Sequence, residues 1–279
     1  MPTIQKILND HLKNIDIELL LSAALNKPQV FLLTHPEKKV DFLSYWRFKN
    51  YLGQYKAGYS IAAITHHKEF YGLDFYVNKK VLIPRPATEL MVDEALNEIK
   101  KNDSEIVLID VGVGSGCVPI TILKNLEKKP ATFATDISKN ATKVAKINAH
   151  RHQININFLN GDLLSPLLVK PDFLKNNLPL IITANLPYLT EKQFADEPSI
   201  QKEPKIALVA DDKGLALYER LLQQIRDSLF NKKIILFLEI DPAQAELLPP
   251  IITALLPIAK IEIKKDLCGL NRLVKISIN

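Results

Sequence analysis

Asp110-Val111-Gly112-Val113-Gly114-Ser115-Gly116 closes an apolar run, Ile106–Val111, and leads into a helix-like stretch that starts at Cys117. The chain has only nine glycines in 279 residues, and three of them fall within five of these positions. Glycine this scarce is expected where the backbone must adopt a conformation, or approach a ligand, that a Cβ would forbid. A continuous apolar run of this kind reads as a strand buried on both faces of a parallel sheet. In such sheets ligands bind beyond the C-terminal ends of the strands, so a glycine-rich strand–helix turn marks a candidate site. The dinucleotide fingerprint requires glycine at the sixth position of its motif, where Cys117 stands, and the Gly-Lys-Ser/Thr of a P-loop is absent.

The same alternation continues outward. Further strand-like runs occur at Ala131–Ile137, Ile156–Asn160, Leu180–Ala184 and Ile234–Ile240. Helical spacing fills Cys117–Glu127, Lys139–His150 and Leu215–Leu229. This pattern predicts an α/β fold, a parallel sheet with helices on both faces. Ile261–Lys265 and Leu273–Ile278 instead alternate apolar with polar residues around a Cys-Gly-Leu-Asn turn, predicting an antiparallel C-terminal hairpin at one sheet edge. In this frame the G-x-G-x-G spacing fits the S-adenosylmethionine turn of Rossmann-like class I methyltransferases. Gly112, Val113, Gly114, Ser115 and Gly116 are then the backbone that meets the cofactor.

Two acids follow at the next strand ends. Asp136 is placed to accept hydrogen bonds from both hydroxyls of a ribose. Asp162, in Asn160-Gly161-Asp162, is placed to accept from the adenine amine, with Leu163 beside it. The fourth run ends in Asn185-Leu186-Pro187-Tyr188. This tetrapeptide is similar to the Asn-Pro-Pro-Tyr motif of methyltransferases that act on a planar, conjugated amine. An amide nitrogen is a poor nucleophile because its lone pair is delocalised. Two acceptors aimed at its hydrogens draw it toward tetrahedral geometry, and the Asn185 side-chain oxygen and the Leu186 carbonyl are the expected pair. Asn185 is also expected to stand next to the cofactor. Pro187 keeps Leu186 extended, and Tyr188 is expected to stack on the planar group.

Upstream of the sheet, residues 1–68 read as helical. Leu19, Leu20, Ala23 and Ala24 recur at helical spacing, as do Phe42, Tyr45, Trp46, Lys49 and Leu52, with Pro28 and Pro36 as punctuation. The aromatics of this segment read as core. Phe70–Val77 reads as two short strands around Gly72-Leu73-Asp74. Val81-Leu82-Ile83-Pro84-Arg85-Pro86 is a rigid extended connector, because each residue before a proline is pushed toward extended geometry. Thr88 reads as the N-cap of a helix over Met91–Ile99.

Motifs and their order together resemble the bacterial release factor glutamine methyltransferase family along almost the whole chain. Val81–Glu89 matches the family's connector, with Ala87 where an acid is usual. Asp110–Gly116, Asp136, Asp162 and Asn185–Tyr188 follow in order, with Leu186 where the family has proline. Glu203-Pro204-Lys205-Ile206-Ala207-Leu208 and Lys265–Arg272 resemble two further family segments. The resemblance implies S-adenosylmethionine as cofactor and, as substrate, the glutamine in the Gly-Gly-Gln loop of class I peptide chain release factors. It implies a substrate-docking helical domain at 1–68, a hairpin and connector at 69–88, and a catalytic domain at 89–279. Asn185, Leu186, Pro187, Tyr188 and Arg85 would then meet the substrate. The competing reading is an adenine methyltransferase acting on ribosomal RNA or DNA, because Asn-Leu-Pro-Tyr is the form seen in RNA adenine dimethyltransferases. Chain order opposes it: more than 100 residues precede Gly112 here, whereas those enzymes carry the glycine turn near the N-terminus.

Composition narrows the class further. The net charge of +5 comes mainly from scattered lysines, with only six arginines and no basic stripe, so no direct nucleic-acid partner is expected. Cys117 and Cys268 are too few for a disulfide framework or a four-ligand zinc site, and no metal is expected. No apolar run reaches the ~18 residues that span a bilayer. Asp10, Asp16 and Glu18 break any secretory pattern. Cytoplasmic localisation is the resulting expectation.

Overall fold

The computed structural model describes residues 1–11, 14–101, 104–175 and 177–279. Residues 12–13, 102–103 and 176, which fall inside ranges read from the sequence, lie outside the described residues. The first 65 residues form helices at Ile4–Asp10, Ile15–Leu25, Gln29–Thr34, Phe42–Lys56 and Ile61–Thr65. Four of these begin with a side chain that accepts from a first-turn N–H: Thr3, Asn14, Asp41 and Ser60. Their apolar faces meet in a core of their own around Ile4, Leu20, Leu21, Leu32 and Phe48. Two of the aromatics expected in this core are instead on the surface. Phe42 and Trp46 are more than 60% exposed, because the buried stripe of their helix runs through Phe48 and Leu52.

A small hairpin follows, β1 (Lys68–Phe70) and β2 (Leu73–Phe75). The main sheet comprises β3 (Val107–Val111), β4 (Ala131–Asp136), β5 (Asn157–Asn160), β6 (Leu180–Ala184), β7 (Ile234–Glu239), β8 (Lys260–Lys265) and β9 (Asn271–Ile278). Its spatial order is β5-β4-β3-β6-β7-β9-β8. Strands β3 to β7 pair in parallel, and β9 is antiparallel to both β7 and β8. The expected C-terminal hairpin is therefore present, with β8 at the edge.

Side-chain alternation splits the central strand between two cores. Val107, Ile109 and Val111 pack on one face, with the helices Ala216–Ser228 and Leu248–Leu255. Ile106 and Leu108 pack on the other, with Glu89–Lys100, Cys117–Lys124 and Lys139–Arg151. Strands β3 and β6 are buried at every position, which accounts for their unbroken apolar sequence. The chain runs outward through β4 and β5 and then returns to β6 on the far side of β3. Strands β3 and β6 thus flank the point where the strand order reverses, where a crevice opens beyond their C-terminal ends.

One local expectation is overturned. Thr88 is not an N-cap: it lies in a 3-10 turn, Pro86–Thr88, with φ −70° and ψ −17°, and makes no capping hydrogen bond. The turn runs directly into the helix Glu89–Lys100, and the buried Thr88 hydroxyl serves the site instead.

Candidate active site

The turn after β3 is held by its neighbours. The N–H groups of Gly112 and Val113 both donate to the Thr135 carbonyl of β4, each at 2.9 Å. Gly114 N–H donates to Asp136 Oδ2 at 2.9 Å, and Ser138 N–H to Asp136 Oδ1 at 2.7 Å. Asp136 is thereby fixed at the end of β4. Burial pushes its carboxyl up, and the two N–H groups pull it back toward the charged form. Gly112 and Gly114 have φ of +79° and +53°, a region closed to most side chains. A Cβ on Gly112 would also sit 3.0 Å from Leu186 Cδ2, so the turn and the tetrapeptide pack directly on each other. Asn148, fully buried on Lys139–Arg151, braces the turn from behind. Its Nδ2 donates to the carbonyls of Ser115 and Tyr76, and its Oδ1 accepts from Tyr76 N–H.

At the end of β6, Asn185, Leu186 and Pro187 border the same cleft, which has a volume of about 650 Å³. Gly112, Val113, Gly114, Ser115, Asp136, Asp162, Leu163 and Arg85 line it as well. Two of the residues singled out in the sequence do not. Gly116 faces inward: its missing Cβ makes room for Ile120 and Ala145, so it serves helix packing. Tyr188 does not border the cleft, and its hydroxyl donates to Glu239 Oε1 at 3.2 Å. Asn185 Nδ2 donates to Thr88 Oγ1 at 3.2 Å. Leu186 is buried, and its carbonyl is 3.4 Å from the Tyr218 hydroxyl, which makes its closer bond to the Glu239 carbonyl.

Arg220, Glu239, Gly214 and Gln244 were not singled out in the sequence, and the partners of Arg85 and Asp110 appear only in space. Arg220, on Ala216–Ser228, forms an ion pair with Asp162. Arg85 forms one with Glu203, whose Oε2 also accepts from Ile83 N–H at 3.0 Å, so the connector is tied to the Glu203-Pro204 segment. Asp110 is fully enclosed, and Thr183 Oγ1 donates to it at 2.6 Å. Burial raises its carboxyl to about 7, helped by the nearby charge of Asp136. Glu239, at the end of β7, is 2% exposed, and burial pushes its carboxyl up too. An acid closing an otherwise apolar strand was the available clue in both cases. Gly214 is the other hidden element. Its φ is +79°, and a Cβ there would strike the Tyr188 carbonyl and lie 2.7 Å from Gln244 Nε2. Gln244 Nε2 itself donates to the carbonyls of Tyr188 and Lys213, each at 3.1 Å.

This arrangement can hold an extended ligand along β3, β4 and β5 and bring its end up to Asn185. Among the described residues no group of three His, Cys, Asp or Glu side chains is placed to hold a metal ion, and no helix is long and apolar enough to cross a membrane.

Comparison with known proteins agrees with this geometry. The "Methyltransferase small domain" family matches residues 86–224. The catalytic domain of hMettl16 in complex with the MAT2A 3'UTR hairpin 6 superposes with a TM-score of 0.57 at 17% identity, covering 78% of this chain and 80% of that one. The N-terminal domain of human METTL16 in complex with SAH gives 0.52 at 18% identity, covering 75% and 77%. At such identities these two share the fold alone. Sequence relatives are closer. The release factor glutamine methyltransferase of Bacillus subtilis (strain 168) is 33% identical over 266 residues, 92% of this chain and 88% of that one. That of Clostridium acetobutylicum is 32% identical over 276 residues, 98% and 94%. With such identity sustained along nearly the whole of both chains, the protein belongs to the family of release factor glutamine methyltransferases.

Proposed function

We propose that this protein transfers a methyl group from S-adenosylmethionine to the side-chain amide nitrogen of the glutamine in the Gly-Gly-Gln loop of class I peptide chain release factors. The observation that carries the reading is the meeting of the glycine turn and Asn185 in one cleft, with the Asn185 amide nitrogen already engaged by Thr88. The cleft suits the cofactor. A Cβ on Gly114 would meet only the Gly112 carbonyl, at 3.9 Å, and Asp136 sits beside it as a fixed acceptor for ribose hydroxyls. Asp162 and Leu163 border the part assigned to the adenine. When bound, S-adenosylmethionine supplies an electrophilic methyl group.

The chain's own residues act on the other reactant. Asn185 Oδ1 and the Leu186 carbonyl accept from the two amide hydrogens, which raises electron density on the glutamine nitrogen. Pro187 fixes the direction of the Leu186 carbonyl. Tyr188 supports the loop. Arg85 holds the connector where the substrate loop enters. The gain lies mainly in orientation and in preorganised acceptors, and the proton released from nitrogen passes to water. Residues 1–68 serve as the docking domain, 69–88 as hairpin and connector, and 89–279 as the catalytic domain. The exposed Phe42, Leu43 and Trp46 offer an apolar surface for that docking. Cytoplasmic location belongs to the same proposal.

The test is incubation with labelled S-adenosylmethionine, an intact release factor and ribosomal RNA, followed by mass spectrometry. Label is expected on the Gly-Gly-Gln glutamine. Label on an adenine and none on the release factor would overturn the substrate while leaving the fold intact.

A further inference from the structure

We propose that Glu239 is a positioning residue that fixes which way round the Asn185 side-chain amide sits, and so presents an acceptor rather than a donor to the cleft. The consequence for turnover rests on the function proposed above; the structural claim does not.

Glu239 ends β7 after Ile234-Ile235-Leu236-Phe237-Leu238, in a strand that otherwise needs no charge. It is almost fully buried. Its Oε1 accepts from Tyr188, but its Oε2 has no partner of full hydrogen-bond geometry. A buried carboxylate left partly unsatisfied is costly, and an apolar residue would pack the position more cheaply. The groups that face it are specific. Burial pushes its carboxyl up, and the neighbouring Thr88, Tyr188, Arg272 of β9 and Asn185 each pull it back toward the charged form.

As a carboxylate, Glu239 can only accept. The Thr88 hydroxyl therefore turns its hydrogen toward Glu239, and its oxygen offers only lone pairs to Asn185. Asn185 must then present Nδ2 to Thr88, as it does at 3.2 Å. The two ends of the amide lie opposite each other, so Oδ1 is left for the cleft. Flipped, the asparagine would set its own NH₂ against the NH₂ of a glutamine, donor against donor. The polarity of this relay is thus set by a residue that does not line the cleft.

Glu239→Gln keeps the shape but can donate to Thr88 and so reverses the relay. The expected result is a fall in kcat of at least about tenfold on intact release factor, the low end of what misplacing one preorganised polar group costs. KM and cofactor affinity should stay within about twofold, and the melting temperature should not drop. Thr88→Val breaks the next link and carries the same test if the first variant fails to fold. Combined, the two should cost no more than the larger single loss, because they act on one relay. A readout independent of substrate is the nuclear Overhauser contact between the Asn185 side-chain amide hydrogens and the Thr88 methyl. It should be present in the wild type and lost in Glu239→Gln. Unchanged turnover in Glu239→Gln, multiplicative losses in the double variant, or an unchanged amide contact would overturn the proposal. A wild type that leaves release factor unlabelled would refute the substrate instead, and the amide contact would still decide the role of Glu239.

Discussion

Across the cleft, the β3–β4 side is held mainly by the backbone N–H groups of a tight turn, whereas the β6–β7 side depends mainly on buried side chains. On the first side the Gly112–Gly114 turn is fixed by N–H donation to Thr135 and Asp136, all within 25 residues of sequence. On the second, Thr88, Asn185, Tyr188, Gly214, Glu239 and Gln244 converge from four separate segments. On the function proposed above, the difference follows from the task of each side. A nucleoside-like ligand can be gripped by a tight turn and one acid. An amide nitrogen must be met by acceptors of defined polarity, which takes a network.

Variants can break this contrast at several levels. Gly214→Ala should be the most damaging. Positive φ and the collision with the Tyr188 carbonyl together cost about 4–5 kcal/mol, measurable by chemical denaturation. Stability close to the wild type would show that the Tyr188 loop is less constrained than its packing implies.

Asp110 makes a pH-dependent contribution. Its carboxyl is raised to about 7 in the folded protein from an ordinary value near 3.8. Below both values it is protonated in either state and costs nothing. As pH rises through this window the unfolded chain ionises first, so the folded state loses stability, by up to about 4 kcal/mol. Asp110→Asn should flatten that decline between pH 4 and 7 in denaturation curves, roughly by this amount at the upper end. Parallel curves for the two proteins would remove Asp110 as the cause.

Leu186→Pro restores the usual family residue and keeps the carbonyl. It also removes a buried side chain that packs on Gly112. Stability should fall by about 1–2 kcal/mol, as for a small core truncation, with turnover largely kept. A larger loss of turnover than of stability would mean that Leu186 does more than carry a carbonyl. The smallest effect belongs to the helical segment. Gly53 lies within Phe42–Lys56, and a Cβ there would meet nothing within 4 Å. Gly53→Ala should raise stability by about 0.5–1 kcal/mol in thermal melts. A destabilising outcome would point to a contact at that face.

What the sequence made legible follows the same division. The glycine turn, Asp136 and Asp162 each follow a strand-like run, so the run pattern together with glycine spacing located them. The strand pattern was equally plain because β3 and β6 are buried on both faces. Thr88 was misread because a threonine before a helix looks like a cap, and only its neighbours in space show a different use. Glu239 could be read only as an acid closing an apolar strand, and Gly214 not at all. Their roles depend on contacts with Asn185 and Tyr188 across long sequence separations, and no local pattern encodes those. Trp46 and Phe42 were misread for the opposite reason: helical spacing identifies a stripe, but the buried face is turned so that it keeps Leu52 and takes in Phe48 instead of them.

The division of labour between the two sides of the cleft is tested most directly by single-turnover methyl transfer to an intact release factor at saturating cofactor, with Asp136→Ala and Asn185→Ala compared against the wild type. Asp136→Ala should weaken cofactor binding by about 1–3 kcal/mol, the scale of lost hydrogen bonds to a charged acceptor, yet transfer at a rate within about threefold of the wild type once saturated. Asn185→Ala should bind the cofactor normally and transfer about 10²-fold or more slowly, as expected for an acceptor that acts on the transition state. A saturated Asp136→Ala enzyme as slow as Asn185→Ala, or an Asn185→Ala enzyme as fast as the wild type, would contradict the account.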